Sequence, residues 1–183
     1  MVLCEMDPVC GASVARITSS RWLLSSLMVV EKVDGPEAKP PGAIAHWQDG
    51  DGIFCLRNRS TDDSELAAGD SKADGIHEAG ISAAVWRLGQ NTIVKVHSWI
   101  EDVEMEAEKI PFAAEKAPEV PVPDVLYAWV DHDLNRSFLI MKRVEGEILE
   151  KALPKLSPLQ RAQIANDVAQ FCVNLAVNIS TRL

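Results

Sequence analysis

The residues best placed to do chemistry are a lysine and the acids that follow it. Ile93-Val94-Lys95-Val96 reads as a strand with a lysine at its centre. Strand alternation puts Ile93, Lys95 and His97 on one face and Val94 and Val96 on the other. An ammonium set among apolar neighbours needs an anion, because an unpaired charge is costly to remove from water. A ligand phosphate together with a helix carboxylate would meet that need. Glu104, Glu106 and Glu108 follow in a helix-forming stretch, and Glu106 is the carboxylate matched to Lys95. The competing reading is an edge-strand lysine that points into solvent.

Two other clusters are set aside. Asp49-Gly50-Asp51-Gly52 resembles the start of a calcium loop, but the later ligands and distal Glu of an EF-hand are missing, so a turn is expected. Cys4, Cys10, Cys55 and Cys172 form no C-x-x-C pair and have no histidine at zinc-ligand spacing. Free thiols in a reducing compartment are expected.

The elements that must position Lys95 are legible from Gly75 onward. Ile81 to Leu88 and Thr92 to His97 read as strands joined by a hairpin turn at Gly89-Gln90-Asn91. Ile100 to Lys116 reads as a helix that Pro111 should kink or split. Pro118 to Pro123 is an extended connector. Val125 to Val130 and Ser137 to Met141 are strands around a turn at Asp131 to Arg136. Ser157-Pro158-Leu159-Gln160 is a helix start with a capping box. That helix runs to about Asn178, with Ile164, Val168, Phe171, Cys172 and Leu175 as its apolar face. The first 74 residues read less clearly. A helix over about Val14 to Val33, broken at Asp34-Gly35-Pro36, is expected, then a short strand over Gly52 to Leu56. Asn58 to Asp74, rich in Ser, Asp, Gly and Ala, reads as a mobile loop or linker. No internal repeat is evident.

Composition bounds the function. At 183 residues, the chain can build a hydrophobic core without a disulfide or a metal. Its net charge of −9 argues against broad binding to phosphate backbones, so no nucleic-acid partner is expected. No apolar run is long enough to cross a membrane as a helix, and no membrane partner is expected. Residues 13 to 30 carry Arg16, Arg21 and several serines in the manner of a transit peptide, but Glu5 and Asp7 precede them. The expected compartment is the cytoplasm, with the mitochondrion as the alternative.

Several segments together carry a family resemblance. They are Ala84-Val85-Trp86-Arg87-Leu88-Gly89, Ile93-Val94-Lys95-Val96, Glu106-Ala107-Glu108, Val120-Pro121-Val122-Pro123-Asp124-Val125-Leu126, and Phe138-Leu139-Ile140-Met141 followed by Val144-Glu145-Gly146. Over about Gly75 to Ala176 the chain resembles the aminoglycoside phosphotransferase and choline kinase-like family, especially its fungal phosphotransferase members. The resemblance implies an α+β fold. Residues 75–146 would form a protein kinase-like small lobe, an antiparallel sheet plus one helix, with its hinge. Residues 147–183 would begin a helical large lobe, and residues 1–74 would be a poorly ordered extension.

The resemblance also implies roles. Gly80-Ile81-Ser82 would cover ATP phosphates, with Gly80 and Ser82 supplying backbone and hydroxyl groups. Val85 would lie over the adenine. Lys95 would contact the α- and β-phosphates, held by Glu106. Lys142 and Val144, following Met141, would offer hinge backbone to the adenine edge. The family needs a His-x-Asp-x-x-x-x-Asn loop and a later Asp for its base and magnesium, and these are not among the 183 residues. Asp131-His132-Asp133-Leu134-Asn135 has the wrong spacing to replace them. The expected function is therefore the N-terminal, ATP-binding portion of a small-molecule phosphotransferase, inactive alone and binding ATP weakly. The alternatives are a non-catalytic nucleotide- or partner-binding module of the same fold, and an unrelated α+β domain whose Lys and Glu are surface charges. Self-association through the apolar face of the helix at 157–178 is also expected.

Overall fold

Short alternating segments punctuated by serines build the first half of the chain as strands. The computed structural model describes residues 13–25, 27–33, 42–63 and 73–176. β1 (Val14–Thr18), β2 (Arg21–Leu24) and β3 (Met28–Val33) occupy the stretch expected to be a helix. Two features decide against the helix. Ser19-Ser20 forms a turn in which the Thr18 hydroxyl accepts the Ser20 N–H, and Ser25 adopts a left-handed φ of 55°, so no continuous helical ladder can form. Within β2, Trp22 and Leu24 are buried while Arg21 and Leu23 are partly exposed, which is the period of a strand.

β4 (Ala43–Asp49) and β5 (Gly52–Asn58) complete a five-stranded antiparallel sheet in the order β1-β2-β3-β5-β4. The segment expected to be a poorly ordered extension thus supplies a whole sheet. Residues 1–12, which hold Cys4, Cys10, Glu5 and Asp7, lie outside the described residues, as do residues 64–72 of the expected linker. The ends of that linker are held in place. Asp63 is ion-paired to Arg57, and Asp74 accepts the indole N–H of Trp22 at 3.1 Å.

β6 (Gly75–Ala79), β7 (Ala83–Arg87), β8 (Thr92–Ser98), β9 (Val125–Asp131) and β10 (Arg136–Lys142) form a second antiparallel sheet, in the order β6-β7-β8-β10-β9. The hairpin expected at Gly89 to Asn91 joins β7 to β8. The strand of Lys95 pairs with that of Leu139, the two residues directly opposite each other.

The two sheets share one core. Trp22, Leu24, Val30, Phe54 and Leu56 from the first meet Trp86, Leu88, Val94, Phe138 and Ile140 from the second. Hydrogen bonds at the margins fix their alignment. The Trp47 indole N–H donates to the Thr92 hydroxyl at 2.9 Å. The Asp49 carboxylate accepts the N–H groups of Gln90 and Asn91 at 3.1 and 2.7 Å. These sheets make up one compact unit, residues 1–105 and 124–143.

A second unit comprises residues 106–123 and 144–183. Its α1 (Glu106–Lys116) starts later than expected, because Glu101-Asp102 form a turn, with Asp102 at a left-handed φ of 63°, and Val103 to Met105 are irregular. Pro111 lies inside α1 without splitting it. Glu106 and Glu108 in its first turn and Lys116 in its last complement the helix dipole. α2 (Leu149–Ala152) and a single 3-10 turn lead to α3 (Pro158–Ala176). The expected capping box is formed: Gln160 Oε1 accepts the Ser157 N–H at 2.8 Å, and the Ser157 hydroxyl accepts the Gln160 N–H at 3.3 Å. None of the residues of α3 is fully buried.

Candidate functional site

The alternation of β8 places Lys95 on the outer face of the second sheet. Thr92, Val94 and Val96 are buried in the shared core, whereas Ile93, Lys95 and His97 are partly exposed on the opposite side. Register then fixes the neighbours of Lys95. Val85 of β7 and Leu139 of β10 are its direct partners on either side. Residues opposite one another in antiparallel strands project to the same face about 5 Å apart. One lane along, Met141 lies opposite Ile93 and shares that face. Leu139 and Met141 are nearly buried. A lysine is therefore set in an apolar strip of Val85, Leu139, Ile93 and Met141. Leu139 was not among the expected site residues. Alternation with Met141 marks its face in the sequence, but only the strand register makes it Lys95's neighbour.

The other expected site residues fall as follows. Gly80 and Ser82 lie in the turn between β6 and β7, so the strand expected from Ile81 begins only at Ala83. Gly80 takes a left-handed φ of 56° with open space where a Cβ would stand. The Ser82 hydroxyl donates to the Ala79 carbonyl at 3.1 Å, so it closes its own turn. Glu106 is the first residue of α1, in the second compact unit. Val144 is exposed. Lys142 differs from its expected role in one respect: its backbone N–H donates to the Asp124 carbonyl at 2.9 Å and is already used inside the sheet. Its ammonium pairs with the Asp124 carboxylate at 2.7 Å.

The segments set aside in the sequence are structural turns. The Asp131 carboxylate accepts the N–H groups of Asp133 and Leu134, both at 3.1 Å, and so caps the β9–β10 hairpin. His132 packs edge-on against Trp99 at 4.8 Å between ring centroids. Asp49 caps the β7–β8 turn, and Asp51 pairs with Lys32 at 3.2 Å. A cleft of about 200 Å³ lies beside them, lined in part by Arg16, Trp22, Lys32 and Asp74. Its cations are already matched by acids, Arg16 by Asp74 and Lys32 by Asp51. Among the described residues no group of three or more His, Cys, Asp or Glu side chains could hold a metal ion. Also among them, Cys55 is buried and Cys172 exposed, and neither is in a disulfide.

A cluster of ion pairs lies on the first sheet. Arg57 donates to Glu31 at 2.9 Å and to Asp63 at 2.6 Å, and Arg21 pairs with Glu31 at 2.7 Å. Burial works against ionisation of Glu31, but the hydrogen bonds and charges of Arg57 and Arg21 outweigh it and lower its pKa. Asp63 is held far below the usual carboxylate range, first by the Arg57 hydrogen bond and then by Ser60. Arg57 is raised in turn, mainly by its hydrogen bonds to Asp63 and Glu31. This cluster is closed on itself: two acids and two guanidiniums satisfy one another.

Among the described residues no helix is long and apolar enough to cross a membrane. No family model, no curated protein and no solved structure matches the chain.

Proposed function

We propose that this chain is the nucleotide-binding portion of a small-molecule phosphotransferase of the kind its sequence resembles. The observation that carries this reading is the setting of Lys95, at mid-strand on the outer face of the second sheet and flanked in register by Val85 and Leu139. An apolar strip beside a single ammonium suits a ligand with a flat apolar ring and a polyanionic tail, which describes ATP. The chain order supports it further, with α1 inserted between the third and fourth strands of that sheet and opened by Glu106. In this reading the adenine lies against Val85, which is partly exposed, and Lys95 meets the phosphates. Gly80 leaves room for phosphate close to the turn backbone.

Lys95 can neutralise phosphate charge, but transfer also needs magnesium and a base aligned with the acceptor hydroxyl. The family's His-x-Asp-x-x-x-x-Asn loop is not among the 183 residues, so in this reading they bind nucleotide without turning it over. With one cation facing a polyanion, affinity is weak, near millimolar or about −4 kcal/mol. Titration of ATP against the chain and against Lys95→Ala tests the reading. Binding weakened at least about tenfold by the substitution is expected. Equal binding by both chains, or ATP turnover that Lys95→Ala abolishes, overturns it. The same reading expects α3, with Val168 and Leu175 exposed, to mediate self-association. A concentration-dependent mass that Val168→Glu lowers is the check.

A further inference from the structure

The two sheets repeat one another. Each is five-stranded and antiparallel, with its first, second, third, fifth and fourth strands side by side. Registers agree as well as orders. Trp22 opposite Val30 in β2 and β3 matches Trp86 opposite Val94 in β7 and β8. Val30 opposite Leu56 matches Val94 opposite Ile140. Trp47 opposite Phe54 matches Trp129 opposite Phe138.

Irregularities coincide too. The first strand slips by one residue between Arg16 and Thr18 in one sheet and between Gly75 and His77 in the other, at the same point relative to Trp22 and Trp86. The fourth strand slips between Ala43 and Ala45, and between Val125 and Tyr127. Bulges are local and position-specific, so their coincidence in two unrelated sheets would be improbable.

The matched positions carry matching residues. Trp22-x-Leu24 answers Trp86-x-Leu88, Trp47-x-Asp49 answers Trp129-x-Asp131, and Phe54 answers Phe138. Both Trp–Phe pairs are stacked, with interplanar angles of 17° and 7°. Trp22, Leu24, Phe54, Trp86, Leu88 and Phe138 all lie in the shared core.

We infer that the first sheet is a second copy of the Lys95 module, packed inner face to inner face with it, and that it serves as that module's packing partner instead of a second ligand site. The outer faces explain the division of labour. The position of Lys95 is taken in the first copy by Glu31, that of Val85 by Arg21 and that of Met141 by Arg57. A carboxylate paired with guanidiniums stands where the second copy carries the ammonium of Lys95. That clause rests on the nucleotide reading, whereas the equivalence of the two copies does not.

The equivalence also accounts for an orphaned donor. Trp47 Nε1 donates to Thr92 of the other copy. The matching donor is Trp129 Nε1, and the residue matching Thr92 is Met28, whose side chain offers no oxygen. Trp129 Nε1 is buried and has no hydrogen-bond partner among the described residues. The Asp pair diverges for a visible reason: the longer β9–β10 turn gives Asp131 N–H groups of its own, while Asp49 reaches the other copy's turn.

Exchanging the two residues is the test, read from the assigned indole N–H resonances of Trp47 and Trp129 in the full chain. Met28→Thr is expected to move the Trp129 indole N–H downfield and slow its hydrogen exchange about fivefold, the factor that a net hydrogen bond of ordinary strength supports. Thr92→Met is expected to do the reverse to Trp47. The double exchange, which keeps one Thr and one Met in the core, guards against a folding failure of either single variant. In it the hydrogen-bonded indole should be Trp129 instead of Trp47. An unchanged Trp129 resonance in Met28→Thr and in the double exchange, or a double exchange that does not fold, overturns the inferred equivalence. For the outer-face clause, ATP should bind with a stoichiometry of one, and Glu31→Gln should leave that binding unchanged. Failure there with the core exchange intact would count against the nucleotide reading alone.

Discussion

Arg57→Ala should be among the most damaging single substitutions outside the core. The guanidinium makes four hydrogen bonds to two carboxylates, Glu31 at 2.9 and 3.3 Å and Asp63 at 2.6 and 2.9 Å. The Asp63 side chain is only 5% exposed, so removing its cation strands a nearly buried charge. Breaking one partner out of a buried ion pair costs about 3–5 kcal/mol. The lower end applies here, because Ser60 still donates its N–H and hydroxyl to Asp63 and Arg21 still holds Glu31. The assay is urea unfolding followed by tryptophan fluorescence. All five tryptophans of the chain, Trp22, Trp47, Trp86, Trp99 and Trp129, lie in the unit formed by the two sheets, so the signal reports that unit alone. With an m-value of about 2 kcal/mol per molar urea, a loss of ~3 kcal/mol lowers the midpoint by roughly 1.5 M. Arg57→Lys, which keeps the charge but loses the planar fork, should fall between the two. A midpoint shift under about 0.5 M for Arg57→Ala would show that the network contributes no more than a surface pair.

The same cluster sets a pH dependence. Glu31 and Asp63 have pKa values lowered by folding, so their contribution is complete above the unfolded carboxylate range, about pH 4, and is lost as pH falls below it. The midpoint gap between wild type and Arg57→Ala should therefore narrow in acid, and a gap that widens contradicts the assignment. Gly89→Ala should destabilise by at least about 2 kcal/mol. The site has a φ of +101°, and a Cβ there would stand 2.5 Å from Asp49 Oδ2 and 3.0 Å from Phe54 Cζ; an unchanged melting temperature would refute that packing. Ser157→Ala should cost about 1 kcal/mol of α3 stability by removing its cap, seen as earlier loss of helical circular dichroism.

What the sequence disclosed depended on how one-sided each element is. β8 buries Val94 and Val96 and leaves Ile93 and Lys95 partly exposed, so its alternation was readable and gave the face of Lys95. β3 buries Met28, Val29 and Val30 in succession. With both faces covered, period two disappears, and the run reads equally well as a helix. The serines that separate β1, β2 and β3 are weak turn signals beside a Gly or a Pro. The capping box of α3 was legible because it is local, spanning Ser157 to Gln160. The place of Leu139 beside Lys95, and the use of the Lys142 N–H by Asp124, depend on pairings between distant segments. The repeat went unseen because matched residues do not keep a fixed spacing. The segment between β8 and β9, which includes α1, is longer than that between β3 and β4, and the identities are confined to a few core positions.

The shared core also sets a schedule for synthesis. The first sheet is complete in sequence at Asn58, but the strands that cover its apolar face are not complete until Lys142, about 80 residues later. At ~5–20 residues per second, the ribosome takes roughly 4–16 s to cover that distance. Throughout that interval Trp22, Leu24, Phe54 and Leu56 have no complete opposite face to bury against, because β9 and β10 are still missing. Their natural substitute is the same face of another nascent chain or a holding chaperone. Slower elongation between β5 and β10 should therefore lower the soluble yield of this protein, even though every residue of the finished core is unchanged.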